Sequence, residues 1–221
     1  MAVGAFSTYE IMTACPDLNI MILVIISGVI TAAVGIVFGL PSLRIKGFYL
    51  AVATLASQFF LVWLFNKVPW FYNYSATGQI TVSERLMFGI PVTGATAPPY
   101  ATYLFCLVLV VVLGFAAKNM IRSKIGRSWM AIRDMDIAAE IIGVPPLKTK
   151  LSAFAISSFF IGVSGALYFA VFLGAIEVTE SFDIMTISFP VLFMIIIGGL
   201  GSMLGSFLGA GFIVTLPIGL K

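Results

Sequence analysis

The chain has no histidine, only two cysteines and very little charge: 10% of its 221 residues are Asp, Glu, Lys or Arg. Each scarcity excludes something. Without histidine, and with Cys15 and Cys106 far apart in the sequence, there is no Cys/His metal-ligand spacing and no Cys-x-x-Cys redox pair. A disulfide framework is not expected either. No Gly-x-x-x-x-Gly-Lys-Ser/Thr loop occurs, so the chain carries no nucleotide-phosphate cradle of its own. The opening MAVGAFSTYEIMTA lacks the basic stretch of a cleavable signal peptide. A nucleic-acid surface would need a basic patch with reading groups, and none is present. No apolar run contains a carboxylate pair or a nucleophile beside a base, which removes the usual enzyme sites.

What is abundant is hydrocarbon. With 61% hydrophobic residues and a mean hydropathy of +1.13, and with apolar runs of about 20 residues, the chain is expected to be all-α. The expected architecture is a polytopic transmembrane helical bundle of about five to seven membrane segments, forming one domain over 1–221.

Residues 1–14 reach only roughly 21 Å as a helix, short of a bilayer core of about 30 Å. They read as a partial span, or as the tail of a longer helix, before a turn at Cys15-Pro16-Asp17. Residues 19–40 are long enough to cross. Ser27, Thr31, Gly35 and Gly39 recur there every four residues, a stripe that admits a second helix at close range. The 47–66 run follows, with Thr54, Ser57 and Gln58 near its middle. A glutamine in hydrocarbon must face protein or a water-filled path. Together with Ser157, these neutral groups are candidates for a translocation path; ordinary interhelical hydrogen bonds are the alternative.

Residues 67–99 are aromatic and rich in turn formers, and Trp70, Phe71, Tyr72 and Tyr74 suit the bilayer interface. Residues 100–117 and 151–173 are further spans. The latter carries a second small-residue stripe at Ser158, Gly162, Ala166 and Ala170, with Val163 beside it and off the contact. The stretch 186–220 is punctuated by Gly198, Gly199, Gly201, Gly205, Gly209 and Gly211. Two short helices meeting at 198–205 are favoured over one long one, because 35 residues exceed one span.

Charge orients these segments. The 41–46 connection has Arg44 and Lys46 and no acid, and 118–150 has seven basic residues against three acidic. The 67–99 loop is nearly balanced, and 174–185 has only Glu177, Glu180 and Asp183. By the positive-inside rule, 41–46 and the 118–150 coupling loop are expected in the cytoplasm and 67–99 outside.

Within 118–150 lies the one well-charged helical stretch, 129–143. On a continuous helix Arg133, Asp136 and Glu140 share a sector of roughly 60°, beside an apolar arc of Ile132, Met135, Ala139 and Ile142. Four charges in eight residues are too costly for the bilayer interior, at roughly 2.5–3.5 kcal/mol each near its centre. Gly143 can take a left-handed cap and Pro145-Pro146 forbids continuation. Such a helix is either a solvated loop element or a docking element.

The runs IGRSWMAIRDMDIAAEIIGV and KTKLSAFAISSFFIGVSGAL resemble the permease subunits of ABC importers for branched-chain amino acids. So do GLPSLRIKGFYLAVATLA at 39–56 and IIGGLGSMLGSFLGA at 196–210. The residues that carry the resemblance in the coupling loop are Ile125-Gly126-Arg127, Arg133-Asp134, Ala138-Ala139 and Gly143. The sequence departs from the family pattern at Thr77-Gly78-Gln79 and at Pro190, and its ends fall where the family's helices would continue, so a truncated permease is expected. The resemblance implies a non-enzymatic transport subunit of the bacterial cytoplasmic membrane. It carries no cofactor, ATP and Mg being held by the partner ATPase.

The implied partners are two cytoplasmic ATPase subunits, a second homologous permease and an external solute-binding protein. Arg133, Asp134, Asp136, Ala138, Ala139, Glu140 and Gly143 would couple to the ATPase. Gly35, Gly39, Ser158, Gly162, Ala166, Gly198, Gly199, Gly201, Gly205 and Gly209 would pack helices. Hydrophobic amino acids or related small amides would be the cargo. An ion-coupled secondary transporter of a small neutral or zwitterionic solute is the alternative. The lack of ionisable residues within the spans argues against proton coupling but not against sodium.

Overall fold

The structure, a computed structural model, describes residues 1–43, 48–72, 74, 79–87, 90–94, 97–177, 181–182, 184–199 and 201–219. Arg44, Lys46, Thr77, Gly78, Glu180 and Asp183, weighed above, lie outside the described residues. The chain forms an all-α polytopic membrane bundle, interrupted by short strands, and divides into two compact units, 1–177 and 178–221. Three described helices are long and apolar enough to cross a membrane: Ile20–Ser42, Pro99–Arg122 and Pro146–Leu173.

In the first unit, helix α1 (Ala2–Ala14) turns at Cys15 into α2 (Ile20–Ser42), whose first amides are capped by Asn19 Oδ1 accepting from Met21 N at 3.0 Å. Helix α3 (Phe48–Lys67) is 20 residues long, about 30 Å of helix and the thickness of a bilayer core. Helix α4 (Pro99–Arg122) continues five residues beyond the expected span. Helix α7 (Pro146–Leu167) likewise begins earlier than expected, with Pro146 in its first turn, where a missing N–H costs nothing. It runs on as a π-helical stretch, Tyr168–Leu173, closed by Gly174 at φ +69°.

The small residues draw three helices together. Helices α2 and α7 lie antiparallel: Gly28 faces Phe159 and Val163, Gly35 faces Ser158, and Gly39 faces the Phe154 ring. A Cβ on Gly162 would stand 2.5 Å from the Thr31 side chain, and Gly4 of α1 lies against the Gly162 carbonyl. Thr8 Oγ1 lies 2.7 Å from the Gly4 carbonyl oxygen and 2.9 Å from Ser27 Oγ, joining α1 to α2. One expectation is corrected. Val163 is 1% exposed and touches the Gly28 position, so the seam is wider than the every-fourth-residue stripe. A helix face that buries two adjacent columns cannot be read from one of them.

The 67–99 segment is not a plain loop. Pro69–Tyr72 forms a 3-10 turn, and Phe71 packs edge-on to Phe65, with ring centroids 4.7 Å apart, rather than facing lipid alone. Strand β1 (Ile80–Thr81) pairs antiparallel with β4 (Ala175–Ile176), just past α7, and Val82 N donates to the Gly174 carbonyl at 2.9 Å. Strands β2 (Arg85–Met87) and β3 (Ile90–Thr93) form a bulged hairpin. These strands and the α1–α2 corner gather at one end of the unit. The short helices after α4 occupy the other.

In the second unit, a π-helical turn (Ile184–Ser188) leads into α8 (Phe189–Gly198), with Pro190 in its first turn. Gly199 and Gly201, at φ +94° and +93°, make the turn into α9 (Met203–Gly219). Ser202 Oγ caps α9 by accepting from Gly205 N at 3.1 Å. The run is therefore two helices, as favoured from its length. Their backbones meet at Gly198 and Gly205, and Gly209 fits against the Met194 carbonyl and Gly198.

Candidate functional site

The charged stretch after α4 folds into two helices, not one. Helix α5 (Lys124–Asp134) ends where Met135 becomes extended (φ −154°, ψ 99°), and α6 (Asp136–Ile141) begins at once. This corrects the continuous 129–143 helix and the single polar sector derived from it. The break coincides with contacts to a later helix. Lys150, at the base of α7, holds Asp136 at 3.2 Å, and Trp129 Nε1 donates to Ser152 Oγ at 2.9 Å. These two contacts fix α5 and the start of α6 to the same turn of α7. Asp136 at the start of α6 also suits the positive end of a helix.

The far end of α6 is closed as the sequence indicates. Gly143 takes φ +89°, Gly143 N donates to Glu140 O at 3.0 Å, and Val144 N donates to Ala139 O at 2.9 Å. That pair of bonds is the Schellman closure of a helix. A Cβ on Gly143 would meet nothing within 4 Å, so the requirement for glycine there is conformational alone.

The residues of α6 and its cap that stand most exposed are apolar. Ile132 and Ala139 are buried, whereas Ile137, Ile141 and Ile142 are 75%, 82% and 75% exposed. Ile137 and Ile141, four apart, share the outward face of α6. Arg133 and Asp134 pair with each other at 3.0 Å, in the open, and Glu140 and Ala138 are exposed beside the isoleucines. Three exposed isoleucines thus stand beside exposed charged residues, an apolar patch with a charged rim. The sequence marks the rim and, of the exposed isoleucines, only Ile142, in the apolar arc; Ile137 and Ile141 carry no mark there. In a chain this rich in hydrocarbon, isoleucine carries no signal of its own.

The proposed path residues are less concentrated. Ser57 donates to the Ala53 carbonyl at 2.8 Å and Ser157 to the Phe154 carbonyl at 2.9 Å, so both hydroxyls are used within their own helices. Thr54, Ser57 and Gln58 are half-buried on α3, and Ser157 is exposed on α7.

The Trp129 anchor permits a direct test. Trp129→Phe keeps an aromatic ring, a smaller one, and removes one hydrogen bond, worth about 0.5–1.5 kcal/mol, together with part of the indole's packing. The variant is expected to melt measurably lower in detergent and to show faster amide exchange over Lys124–Asp134. Unchanged exchange there would mean that α5 is held by packing alone.

The family model described as branched-chain amino acid transport system, permease component, matches residues 1–220. The high-affinity branched-chain amino acid transport system permease protein LivM of Salmonella typhimurium is 30% identical over 234 residues, covering 97% of this chain and 54% of that protein. LivM of Escherichia coli matches with the same identity and coverage. The "Probable ABC transporter permease protein y4mJ" of Sinorhizobium fredii is 30% identical over 205 residues, 88% of this chain and 57% of that one. The chain thus spans about half the length of the curated relatives it matches, and no solved structure matches it significantly. On the match over residues 1–220, the chain belongs to the permease-component family of branched-chain amino acid transport systems.

Proposed function

We propose that the protein works as the membrane permease of an ATP-binding-cassette importer, passing hydrophobic, branched-chain amino acids or related small amides across the bacterial cytoplasmic membrane. The observation that carries this reading is α6, a short apolar knob held by Asp136–Lys150 to the base of a membrane-length helix, with the preceding α5 held to the same base by Trp129–Ser152. A surface so placed lets a partner that changes shape push or pull α7, and through its glycine seam α2. ATP and magnesium belong to that partner. Two such ATPase subunits, a second homologous permease and an external solute-binding protein complete the assembly. The small-residue seams and the neutral hydroxyl and amide groups of α3 suit a zwitterionic or uncharged cargo.

Two measurements test the reading. In a background lacking Cys15 and Cys106, a cysteine at Lys124 is expected to react with an impermeant maleimide only from the cytoplasmic side, and one at Ser83 only from outside. Both positions are exposed. Reaction of both from one side would overturn the orientation. Uptake into vesicles driven by enclosed ATP, and not by a sodium or proton gradient, is then the expected transport result. Gradient-driven uptake without ATP would favour a secondary carrier.

A further inference from the structure

Helix α4, of membrane-crossing length, turns through one residue, Ser123, into α5. From Tyr100 to Lys118 it rises about 27 Å, close to the roughly 30 Å of a bilayer core. The exposed rings of Tyr100 and Tyr103 suit one interface, which sets Lys118 at the opposite edge of the hydrocarbon and Arg122 about 6 Å beyond it, among the headgroups. Helix α5 stays at that level. Trp129 Nε1 donates to Ser152 Oγ at 2.9 Å, where the apolar run of α7 begins, so α5 lies along the bilayer edge.

The corner is fixed by its own backbone. Ser123 Oγ donates to the Met120 carbonyl at 2.6 Å, Arg127 N donates to the Ser123 carbonyl at 3.1 Å, and Gly126 packs against the Ile121 carbonyl. Both helices turn exposed cations outward. Phe115, Lys118 and Arg122, spaced three and four apart, share one exposed face of α4. Lys124, Arg127 and Ala131 share the face of α5 opposite Trp129 and the buried Ile132.

Charge along the segment is polarised. Residues 118–127 hold four basic residues and no acid, whereas 128–143 hold one basic and three acidic. The positive-inside rule accounts for cations on this side of the membrane, but not for their concentration in the ten residues nearest to it. A cluster of this kind directly beyond a membrane helix is attracted by an anionic leaflet.

We propose that the α4–α5 corner binds the headgroups of anionic phospholipids, whose phosphate oxygens accept from Lys118, Arg122, Lys124 and Arg127. Exposed Phe115, Ile121 and Ile125 alternate with these cations along the chain, so acyl chains meet apolar contacts that a soluble phosphate would not use. The leaflet thereby holds the outer face of α5, while Trp129 and Ile132 hold its inner face. The proposal rests on the membrane bundle and needs no transport cycle.

The test uses the full chain reconstituted in phosphatidylcholine vesicles. Asn119, exposed between the cations, is replaced by a fluorophore-labelled cysteine in a background lacking Cys15 and Cys106. Quenching by brominated phosphatidylglycerol is compared with quenching by brominated phosphatidylcholine. The two leaflets have one composition, so the direction of insertion does not enter. At low salt the anionic lipid is expected to be preferred about tenfold at this label, and about equally with phosphatidylcholine at a label on Tyr103, at the other end of α4. Each cation beside an anionic surface contributes about fivefold. Lys124→Gln/Arg127→Gln is therefore expected to bring the preference to within about twofold of one, and added salt to weaken it. Lys124→Arg/Arg127→Lys, which keeps both charges, is expected to retain it.

A preference unchanged by Lys124→Gln/Arg127→Gln, or equal at the two labels, would overturn the proposal. So would its loss in the charge-keeping variant, which would trace the effect to folding. Loss on adding inorganic phosphate at matched ionic strength would make this a soluble-anion site. Loss in the complete assembly with the ATPase would assign the face to that partner. Either outcome would also overturn the lipid assignment.

Discussion

Gly162→Leu is expected to lower the stability of the bundle by about 3 kcal/mol, the upper end of the usual cost of overpacking. Three backbones converge at this point. A Cβ on Gly162 would stand 2.5 Å from Thr31 and 3.1 Å from Gly28 Cα, and the Gly162 carbonyl is already against Gly4. Thr31 cannot turn away cheaply, because it is β-branched and its hydroxyl donates to the Ser27 carbonyl at 2.7 Å. Nor can the helices separate without loss. In a bilayer no hydrophobic force pulls helices together, so close packing and interhelical hydrogen bonds carry association. The Thr8–Ser27 bond at 2.9 Å would be strained by the same displacement. In detergent the melting temperature is expected to fall by roughly 6–12 °C, taking about 2–4 °C per kcal/mol for a chain of this size. Ile161→Leu, on the exposed side of the same turn, is expected to leave it unchanged. Equal melting of both variants would show that the seam does not hold the protein together.

How much of this was legible in the sequence depends on whether the cause was local. The seams were visible because residues four apart on a helix share a face, and Ser27, Thr31, Gly35 and Gly39 declare one. The stop at Gly143 was visible because left-handed backbone is a property of a single residue, whereas the restart at Pro146, ahead of the expected 151, was not. The glycine turn that divides α8 from α9 followed from length. The break at Met135 was not legible. Nothing within 129–143 forbids a continuous helix, and the break coincides with contacts to Lys150 and Ser152, which come from the next helix. The strands were also hidden. Two to four residues are too few for an alternating pattern to register, and β1 finds β4 across some 95 positions.

The site shows the same division. Arg133, Asp134, Asp136 and Glu140 stood out because charge is scarce in this chain, yet the structure gives them unequal surroundings. Asp136 faces inward, toward Lys150, while Arg133 and Asp134 form an exposed pair worth about 0–1 kcal/mol as it stands. The residues with the most surface to lose on docking are isoleucines.

Ile141→Asp is expected to abolish both ATP-driven uptake and recovery of the ATPase subunit on pull-down, while leaving the permease inserted and folded. Ile141 is the most exposed of the three isoleucines and touches little within its own chain, so a polar replacement removes no packing from the free protein. Against a partner's apolar groove it would bury an unpaired carboxylate and forfeit an anchor, a loss of roughly 2–4 kcal/mol or about 30- to 1,000-fold in affinity. Arg133→Glu is expected to act more weakly, because its charge sits on the rim, though two acids beside each other at an interface would still slow association. Gly143→Val reaches the same surface by another route. No atom stands within 4 Å of the position a Cβ would take, so the side chain fits, but φ +89° is forbidden to a β-branched residue. The turn must then rearrange, the Val144–Ala139 and Gly143–Glu140 bonds open, and the isoleucine face is no longer held at a fixed angle to α7. Gly143→Ala, which tolerates the left-handed region better than valine, is expected to fall between the two. Glu10→Gln, on α1 and remote in sequence from this surface, is expected to change neither uptake nor pull-down. Normal uptake and normal ATPase recovery by Ile141→Asp would reduce α6 to a solvated connection and remove the observation on which the importer mechanism rests.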